Sequence, residues 1–480
     1  MNAVQRIAKN TAALFAAQAV TAVLGLFLSI LIARTLGAVE FGKYSFAIVF
    51  TALFGIFIEL GYNTLLIREI ARDISLAGKY FGNITGIRLT LSVIIFAAMA
   101  ITINIMHYPS DIKILVYLFG IQHILSSFAD IARVTFRAFQ KMEYEMITVM
   151  VKEAVRVSLG ITVLLSSYGL MELALAFVFS GALDLLVSFS ICGRKFVKPR
   201  IEVDLKFWKQ TIKIAIPLSA TTLFALIYVR IDTLMLSMMK GDAVVGWYAA
   251  AYGLVLSLKP FAQWFRQALL PLTSNFFISS KSSLKLAYEK SFKYLLIVGL
   301  PMAVGITLLA DRFILLFYGQ AFENSIIALQ ILAWDVFLIY TYGPLGTTLV
   351  AIDKQNQLAV AAGLSAFINI ILNLILIPPF SYVGAAVATI ITETALFGMY
   401  FYFISKYLYR LPLHKMIISP LISCVAMALF IHFCNGINLA ALIVTAAVIY
   451  FAVLYLTKGL SSEDIELLKQ LIRMPDLKRE

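Results

Sequence analysis

Inside the long apolar runs of this 480-residue chain stand Arg88, Asp130, Arg133, Glu153, Arg156, Asp184, Arg230, Asp232, Lys259, Arg266, Asp335 and Glu393. An ionisable group in hydrocarbon costs free energy, so by default it faces a wet cavity or a partner. Lys259, Gln263 and Arg266 fall at i, i+4 and i+7, one polar stripe without an acid on it. Such a stripe suits an anion, and Arg suits phosphate because its planar fork binds in two places at once. In "ALIYVRIDTLMLSMM", Arg230 and Asp232 are two apart. They point to nearly opposite sides of a helix and cannot neutralise each other. Arg230 is expected to face a cavity between two lobes. Asp232 is expected to pair with a cation on a neighbouring helix or to bind a coupling ion, with Asp335 and Glu393 as the other ion-coupling candidates. Asp130 with Arg133, and Glu153 with Arg156, are three apart and share a helix face, which admits a structural ion pair as readily as a cavity role. Lys152 and Arg156 are four apart, a face that repels itself unless an anion sits nearby. The candidate substrate-binding set is Arg88, Arg133, Arg156, Arg230, Lys259, Gln263 and Arg266, and the economical cargo is an anion. Asn369 and Asn373 share a face and suit either interhelical hydrogen bonds or sugar hydroxyls. Cys192, Cys424 and Cys434 lack metal spacing, and His107, His123, His414 and His432 make no ligand cluster, so neither a metal site nor a catalytic residue is expected.

The elements that must position these groups are membrane helices. Hydrophobic residues make up 61% of the chain and charged ones 14%, against roughly 25% charged in soluble domains. The expected fold is all-α, a polytopic membrane protein of about fourteen spans. From Thr11 to Ala33 there is no formal charge, which reads as a retained first helix. The connections "GRKFVKPRIEVDLKFWK", "RDISLAGKY", "RAFQKMEYE" and "KSSLKLAYEK" are basic, whereas "MHYPSD", "SSYGL", "PPFSY" and "FCNGIN" carry no Lys or Arg. Both termini are therefore expected in the cytoplasm, and much of the net charge of +13 is positive-inside bias that does not imply nucleic acid. In the tail, Ser461 with Asp464 reads as a capping box, and Ile465, Leu468 and Ile472 as the apolar stripe of a surface helix. Pro217, Pro260, Pro301 and Pro344 all fall in the later spans, which are expected to bend more.

The chain repeats itself. "GAVEFGKYSFA" from Gly37 and "GDAVVGWYAAA" from Gly241 both read G-x4-G-x-Y-x2-A, each after a long apolar helix. A weaker echo pairs "SSYGLMELALA" with "PPFSYVGAAVA". Repeats of this period predict two six-helix lobes in the same orientation, a parallel pseudo-twofold pair with a cavity at their interface. The expected division is 1–200 for the N-lobe, 201–410 for the C-lobe, and 411–480 for two further helices and the tail.

"GAVEFGKYSFAIVFTALFGIFIELGYNTLLIREIAR", "RIDTLMLSMMKGDAVVGWYAAAYGLV", "FYGQAFENSIIALQIL" and "INIILNLILIPPFSYVGAAVATIITE" together resemble the polysaccharide transporters of the multidrug/oligosaccharidyl-lipid/polysaccharide exporter superfamily. The likeness runs from about residue 10 to 410. It implies a V-shaped helical fold, alternating access, and a polyprenyl-diphosphate-linked oligosaccharide turned from the cytoplasmic to the outer leaflet for cell-surface polysaccharide synthesis. By position in the pattern, Arg230, Asp232, Lys259 and Arg266 fall where the family's cavity residues lie, and Glu59 stands where the family often has Asp. The expected partners are that cargo, the bilayer of the cell membrane and polysaccharide-assembly enzymes. No cofactor and no enzymatic activity are expected, and coupling to H+, to Na+ or to the membrane potential is left open. The alternatives are a cation-coupled drug exporter, which would want an acidic or aromatic cavity, a passive scramblase, and a membrane glycosyl transferase or polymerase, which would want acids or histidines on a sizeable loop.

Overall fold

The computed structural model describes residues 3–434 and 436–460, with side chains from Phe15 onward except those of 217, 218 and 220–222. The tail helix expected around Ser461, Ile465, Leu468 and Ile472 lies outside the described residues. All regular structure among the described residues is helical. The α-helices are α1 (Ala3–Glu59), α2 (Tyr62–Arg72), α3 (Ala77–Ile105), α4 (Ser110–Ala138), α5 (Met142–Leu165), α6 (Leu170–Lys195) and α7 (Leu205–Lys240), followed by α8 (Asp242–Ser279), α9 (Lys281–Leu308), α10 (Ala310–Phe317), α11 (Ser325–Ala351), α12 (Gln355–Tyr407), α13 (Leu413–Phe433) and α14 (Leu439–Leu456). Helices satisfy every backbone polar group internally, which hydrocarbon demands. Ten helical stretches of the described residues are long and apolar enough to cross a membrane. The helices α5 and α7 are not among them. On α5 the charges Glu143, Glu145, Lys152, Glu153 and Arg156 interrupt the apolar run.

Two helices are broken. As a straight rod, α1 would measure about 86 Å, against a hydrocarbon core of about 30 Å. It is divided at Gly37 (φ 80°, ψ 177°), and α12 is divided at Ser381 (φ 54°, ψ −135°), just after Pro378 and Pro379. The turn between α7 and α8 is made by Gly241 (φ 88°, ψ 178°), nearly the conformation of Gly37. That region of backbone space is open essentially to glycine alone. The first glycine of both motif copies is thus fixed by one backbone requirement.

The second glycine of each copy has a different reason. A Cβ on Gly42 would stand 1.8 Å from the backbone oxygen of Asp242, and one on Gly246 would stand 2.0 Å from the backbone oxygen of Ala38. Asp242 and Ala38 each directly follow the positive-φ glycine of their own copy. The two copies therefore meet reciprocally, each presenting a bare Cα to the other's turn. Around this crossing Lys43 Nζ bonds Asp111 at 2.7 Å and Glu40 at 2.8 Å, and Tyr108 Oη lies 2.9 Å from Ser237 Oγ.

The chain divides into two compact units. The first comprises Met1–Pro260, Ile314–Ala328 and Ala362–Thr392; the second comprises Phe261–Phe313, Leu329–Ala361 and Glu393–Glu480. One core of the first unit gathers Tyr62, Leu65, Phe81, Ile84, Ile131 and Phe136 from α2, α3 and α4. In the second, α13 and α14 pack on α9 through Met427, Ile431, Leu442, Tyr450 and Leu300, and Tyr450 Oη donates to the Ile297 carbonyl at 2.8 Å.

Gly42→Ala and Gly246→Ala should each lower stability by about 1–3 kcal/mol through overpacking. The double variant should lose less than the sum, since the first methyl already parts the crossing. Thermal unfolding of the detergent-solubilised protein checks this, and strictly additive losses would refute the shared crossing.

Candidate functional site

In the first unit Asp232, 1% exposed on α7, is held without a cation at salt-bridge distance among the described residues. Its carboxylate accepts from Tyr248 Oη at 2.8 Å, Thr389 Oγ1 at 2.7 Å and Asn373 Nδ2 at 2.5 Å. Asn373 Nδ2 also donates to Asn369 Oδ1 at 3.0 Å, one turn away on α12. Asn373 precedes the break at Ser381 and Thr389 follows it, so one carboxylate holds both arms of α12. Asn373 Oδ1 is buried without a hydrogen-bond partner. The oxygens of Asp232, Asn373, Asn369 and Thr389 form a hard-oxygen donor set, the chemistry that suits a proton or an alkali cation. On α8 the aromatic ring of Tyr248 lies 5.6 Å from that of Tyr252, and Lys259 Nζ bonds Tyr252 Oη at 3.2 Å while lying 5.2 Å from its ring centroid. Two positions before Asp232, half-buried Arg230 makes no ion pair or hydrogen bond among the described residues.

Two other groups of charges in this unit differ in character. Arg133, 4% exposed, donates to Asp184 on α6 at 2.7 and 3.0 Å and to Asp130 at 2.8 Å; Ser188 adds a bond to Asp184 at 3.3 Å. Its guanidinium is occupied on two edges by carboxylates, as an ion pair between helices. Arg88, buried on α3, donates to the Ser127 carbonyl and to Asn63 Oδ1 at 2.8 Å, with Glu59 and Asp130 within electrostatic reach. On α5, by contrast, the buried Glu153 is shared by Arg156 at 2.7 Å and Lys152 at 3.3 Å, whose side chains remain 28% and 23% exposed. Lys152 also lies within electrostatic reach of Asp130. Arg156 lies 5.9 Å from the centroid of Phe177, whose ring meets Tyr44 edge-on.

Pro260 ends the first unit's share of α8, so the stripe of Lys259, Gln263 and Arg266 is divided between the units. In the second unit Gln263 is exposed, and Arg266 packs its stem on Gly343, where an added Cβ would stand 2.9 Å from Cδ. Asp335 and Glu393 are fully buried there. Arg266, Asp335 and Glu393 all lie within electrostatic reach of Tyr342.

Residues 7–277, more than half of the chain, match the family described as "Polysaccharide biosynthesis protein". The chain belongs to this polysaccharide biosynthesis protein family. It is 23% identical over 421 residues to the capsular polysaccharide biosynthesis protein CapF of Staphylococcus aureus, covering 83% of this chain and 99% of CapF. It is 22% identical over 337 residues to the lipopolysaccharide biosynthesis protein WzxC of Escherichia coli (strain K12), covering 68% of this chain and 66% of WzxC. Its fold matches the lipid II flippase MurJ in an inward closed conformation, with TM-score 0.79 at 16% identity over 94% of this chain and 99% of that one. The all-α membrane fold expected from composition is the fold of this polysaccharide biosynthesis protein.

Sequence reasoning missed Tyr248, Thr389 and Tyr44 in this family member, although the signal for two of them was present. Tyr44 and Tyr248 are the same letter of the repeated motif. Tyr248 reaches Asp232, and Tyr44 lies within electrostatic reach of Arg156 and Glu153. Each copy therefore delivers its tyrosine to a polar centre.

Arg133→Leu strands the buried Asp184 and should cost about 3–5 kcal/mol. Arg133→Leu combined with Asp184→Leu should recover most of that loss, because Asp130 is part-exposed and can take water. Chemical unfolding in mild detergent measures both, and a double variant as unstable as the single one would count against a structural ion pair.

Proposed function

We propose that this protein is a flippase that carries a polyprenyl-diphosphate-linked oligosaccharide from the cytoplasmic to the outer leaflet of the cell membrane by alternating access. The observation that carries the reading is Arg230, a half-buried guanidinium on an apolar helix with no anion of its own among the described residues. Such a group calls for water or an anionic ligand. A diphosphate moved into hydrocarbon would cost tens of kcal/mol, and a wet cationic path removes most of that barrier. The partly exposed cations of Lys152 and Arg156 offer a second seat for phosphate, and Lys259 a third. Arg133 and Arg88, being taken up by protein acceptors, serve this reading as scaffold. The family membership and the names of CapF and WzxC support a role in cell-surface polysaccharide synthesis, in which assembly enzymes would supply and consume the cargo. The likeness to the MurJ fold agrees with a flippase.

The same reading takes α5 and α7 as spans, counts the broken α1 and α12 twice each, and so gives fourteen crossings with both termini cytoplasmic. It keeps the division at 1–200, 201–410 and 411–480. For the driving force, each negative charge moved outward in an inside-negative cell gains about 2.3 kcal/mol per 100 mV. Asp232, Asn369, Asn373 and Thr389 would hold a counter-ion, H+ or Na+, and the buried unbonded Asn373 Oδ1 fits that role. Asp335 and Glu393 are the further candidates.

Vesicles carrying a labelled lipid-linked oligosaccharide test both halves. Arg230→Ala should slow leaflet transfer at least about tenfold, the loss of one charge-assisted contact, while Arg230→Lys retains part of it. A wild-type rate in Arg230→Ala would overturn the cargo assignment. Asp232→Asn should keep cargo binding but make transfer insensitive to imposed proton or sodium gradients; an unchanged response to both gradients would remove Asp232 from coupling.

A further inference from the structure

The segment joining α6 to α7, from Phe196 to Asp204, has no regular structure, yet it is firmly held. Asn83, buried on α3, fixes its far end. Asn83 Oδ1 accepts from the Asp204 N–H at 2.9 Å and from Trp208 Nε1 at 3.2 Å, while Nδ2 donates to Glu202 Oε2 at 3.2 Å and to the Lys79 carbonyl at 3.0 Å. The Glu202 N–H donates to the Gly82 carbonyl at 3.2 Å. Gly86 allows the close approach, since a Cβ there would stand 2.7 Å from the Glu202 oxygen. The linker is therefore laid across the start of α3 in a fixed position.

Between this linker and the outer faces of α3, α4 and α6 lies an open groove of about 610 Å³. Phe81, Phe128, Leu186 and Phe189 make its wall, and Ser190 and Arg200 add polar atoms to it. Leu186 is 65% exposed and Ile201 is 63% exposed. Water in such a groove would find few hydrogen-bond partners along the wall, whereas hydrocarbon would lose nothing there. The linker supplies the complementary charge. "GRKFVKPR" carries Arg194, Lys195, Lys198 and Arg200 with no acid before Glu202, and Arg194, Lys198 and Arg200 make no ion pair among the described residues. The ends of α4 and α6 and the start of α3 meet here, beside the most basic connection of the chain, which is the signature of the cytoplasmic face.

We propose that this groove is a binding site for an anionic phospholipid of the cytoplasmic leaflet. One hydrocarbon chain lies against Phe128, Leu186 and Phe189, and the headgroup phosphate rests on Arg200 with help from Lys198 and Arg194. Basic pockets between membrane helices at that face are suited to such headgroups. A resident phospholipid is favoured over the transported cargo because the first unit alone walls the groove and Asn83 holds the linker that carries Arg200 in place. Bound lipid would brace that linker against α6. The assignment rests on the chain's membrane embedding and is independent of what the chain transports.

Native mass spectrometry of the purified, delipidated full chain tests it, with phosphatidylglycerol, phosphatidylcholine of the same acyl chains, inorganic phosphate and a polyprenyl phosphate as probes. Phosphatidylglycerol should bind at least about fivefold tighter than phosphatidylcholine, because its headgroup is net anionic while the choline cation of the other lipid is repelled by the same unpaired cations. Arg200→Gln should erase that preference while leaving phosphatidylcholine binding intact. Leu186→Trp, which fills the groove from an exposed position, should weaken both lipids. Equal binding of the two lipids by the wild type, a preference that survives Arg200→Gln, or no effect of Leu186→Trp would overturn the site. Displacement of phosphatidylglycerol by millimolar inorganic phosphate would overturn it as a lipid site, and stronger binding of the polyprenyl phosphate would assign the groove to cargo instead.

Discussion

A charge carried into hydrocarbon has to be matched there by an opposite charge, by hydrogen bonds or by water. This single constraint sorts the ionisable residues of the chain into kinds. Arg133 is matched by Asp184 and Asp130, and its pairing ties α4 to α6. Asp232 is matched by neutral donors alone, which satisfy it without neutralising it. Arg230 is matched by nothing in the protein that the described residues provide. The first kind ties helices together, the second is a buried carboxyl held by neutral donors, and the third has no protein partner among the described residues. Neighbours two positions apart on one helix thus have unrelated electrostatic lives, because a helix turns them to different surroundings.

Much of the architecture was legible in the sequence, because the physics that sets it is local. Apolar runs predict helices in lipid regardless of what they touch, and the positive-φ glycines announced both turns through a repeated motif. The site was legible only in part. Asp130 beside Arg133 could be read from spacing, but Asp184, which takes the stronger share of that guanidinium, lies 51 positions away on another helix. The common face of Asn369 and Asn373 was readable, whereas their partner Asp232, 141 positions from Asn373, was not. The stripe on α8 looked free of acid because a helix's own sequence is silent about neighbouring helices. Asp335 on α11 and Glu393 on α12 share with Arg266 the electrostatic surroundings of Tyr342.

The motif itself rewards a closer look than its letters invited. Its first glycine is dictated by backbone angles, its second by a carbonyl of the other copy, and its tyrosine by a polar centre. The glycine demands are the same in both copies, while Tyr248 bonds Asp232 and Tyr44 meets Phe119 and Phe177 edge-on. The weaker echo near Ser166 and Pro378 carries no such common geometry. Its left-handed residues, Ser167 and Ser381, stand at different places in the alignment.

The carboxylate of Asp232 grips α12 on either side of its break, through Asn373 on one arm and Thr389 on the other. Anything that binds this carboxylate must displace or share those bonds. The bend at Ser381 is thus laced across by a single acid from another helix.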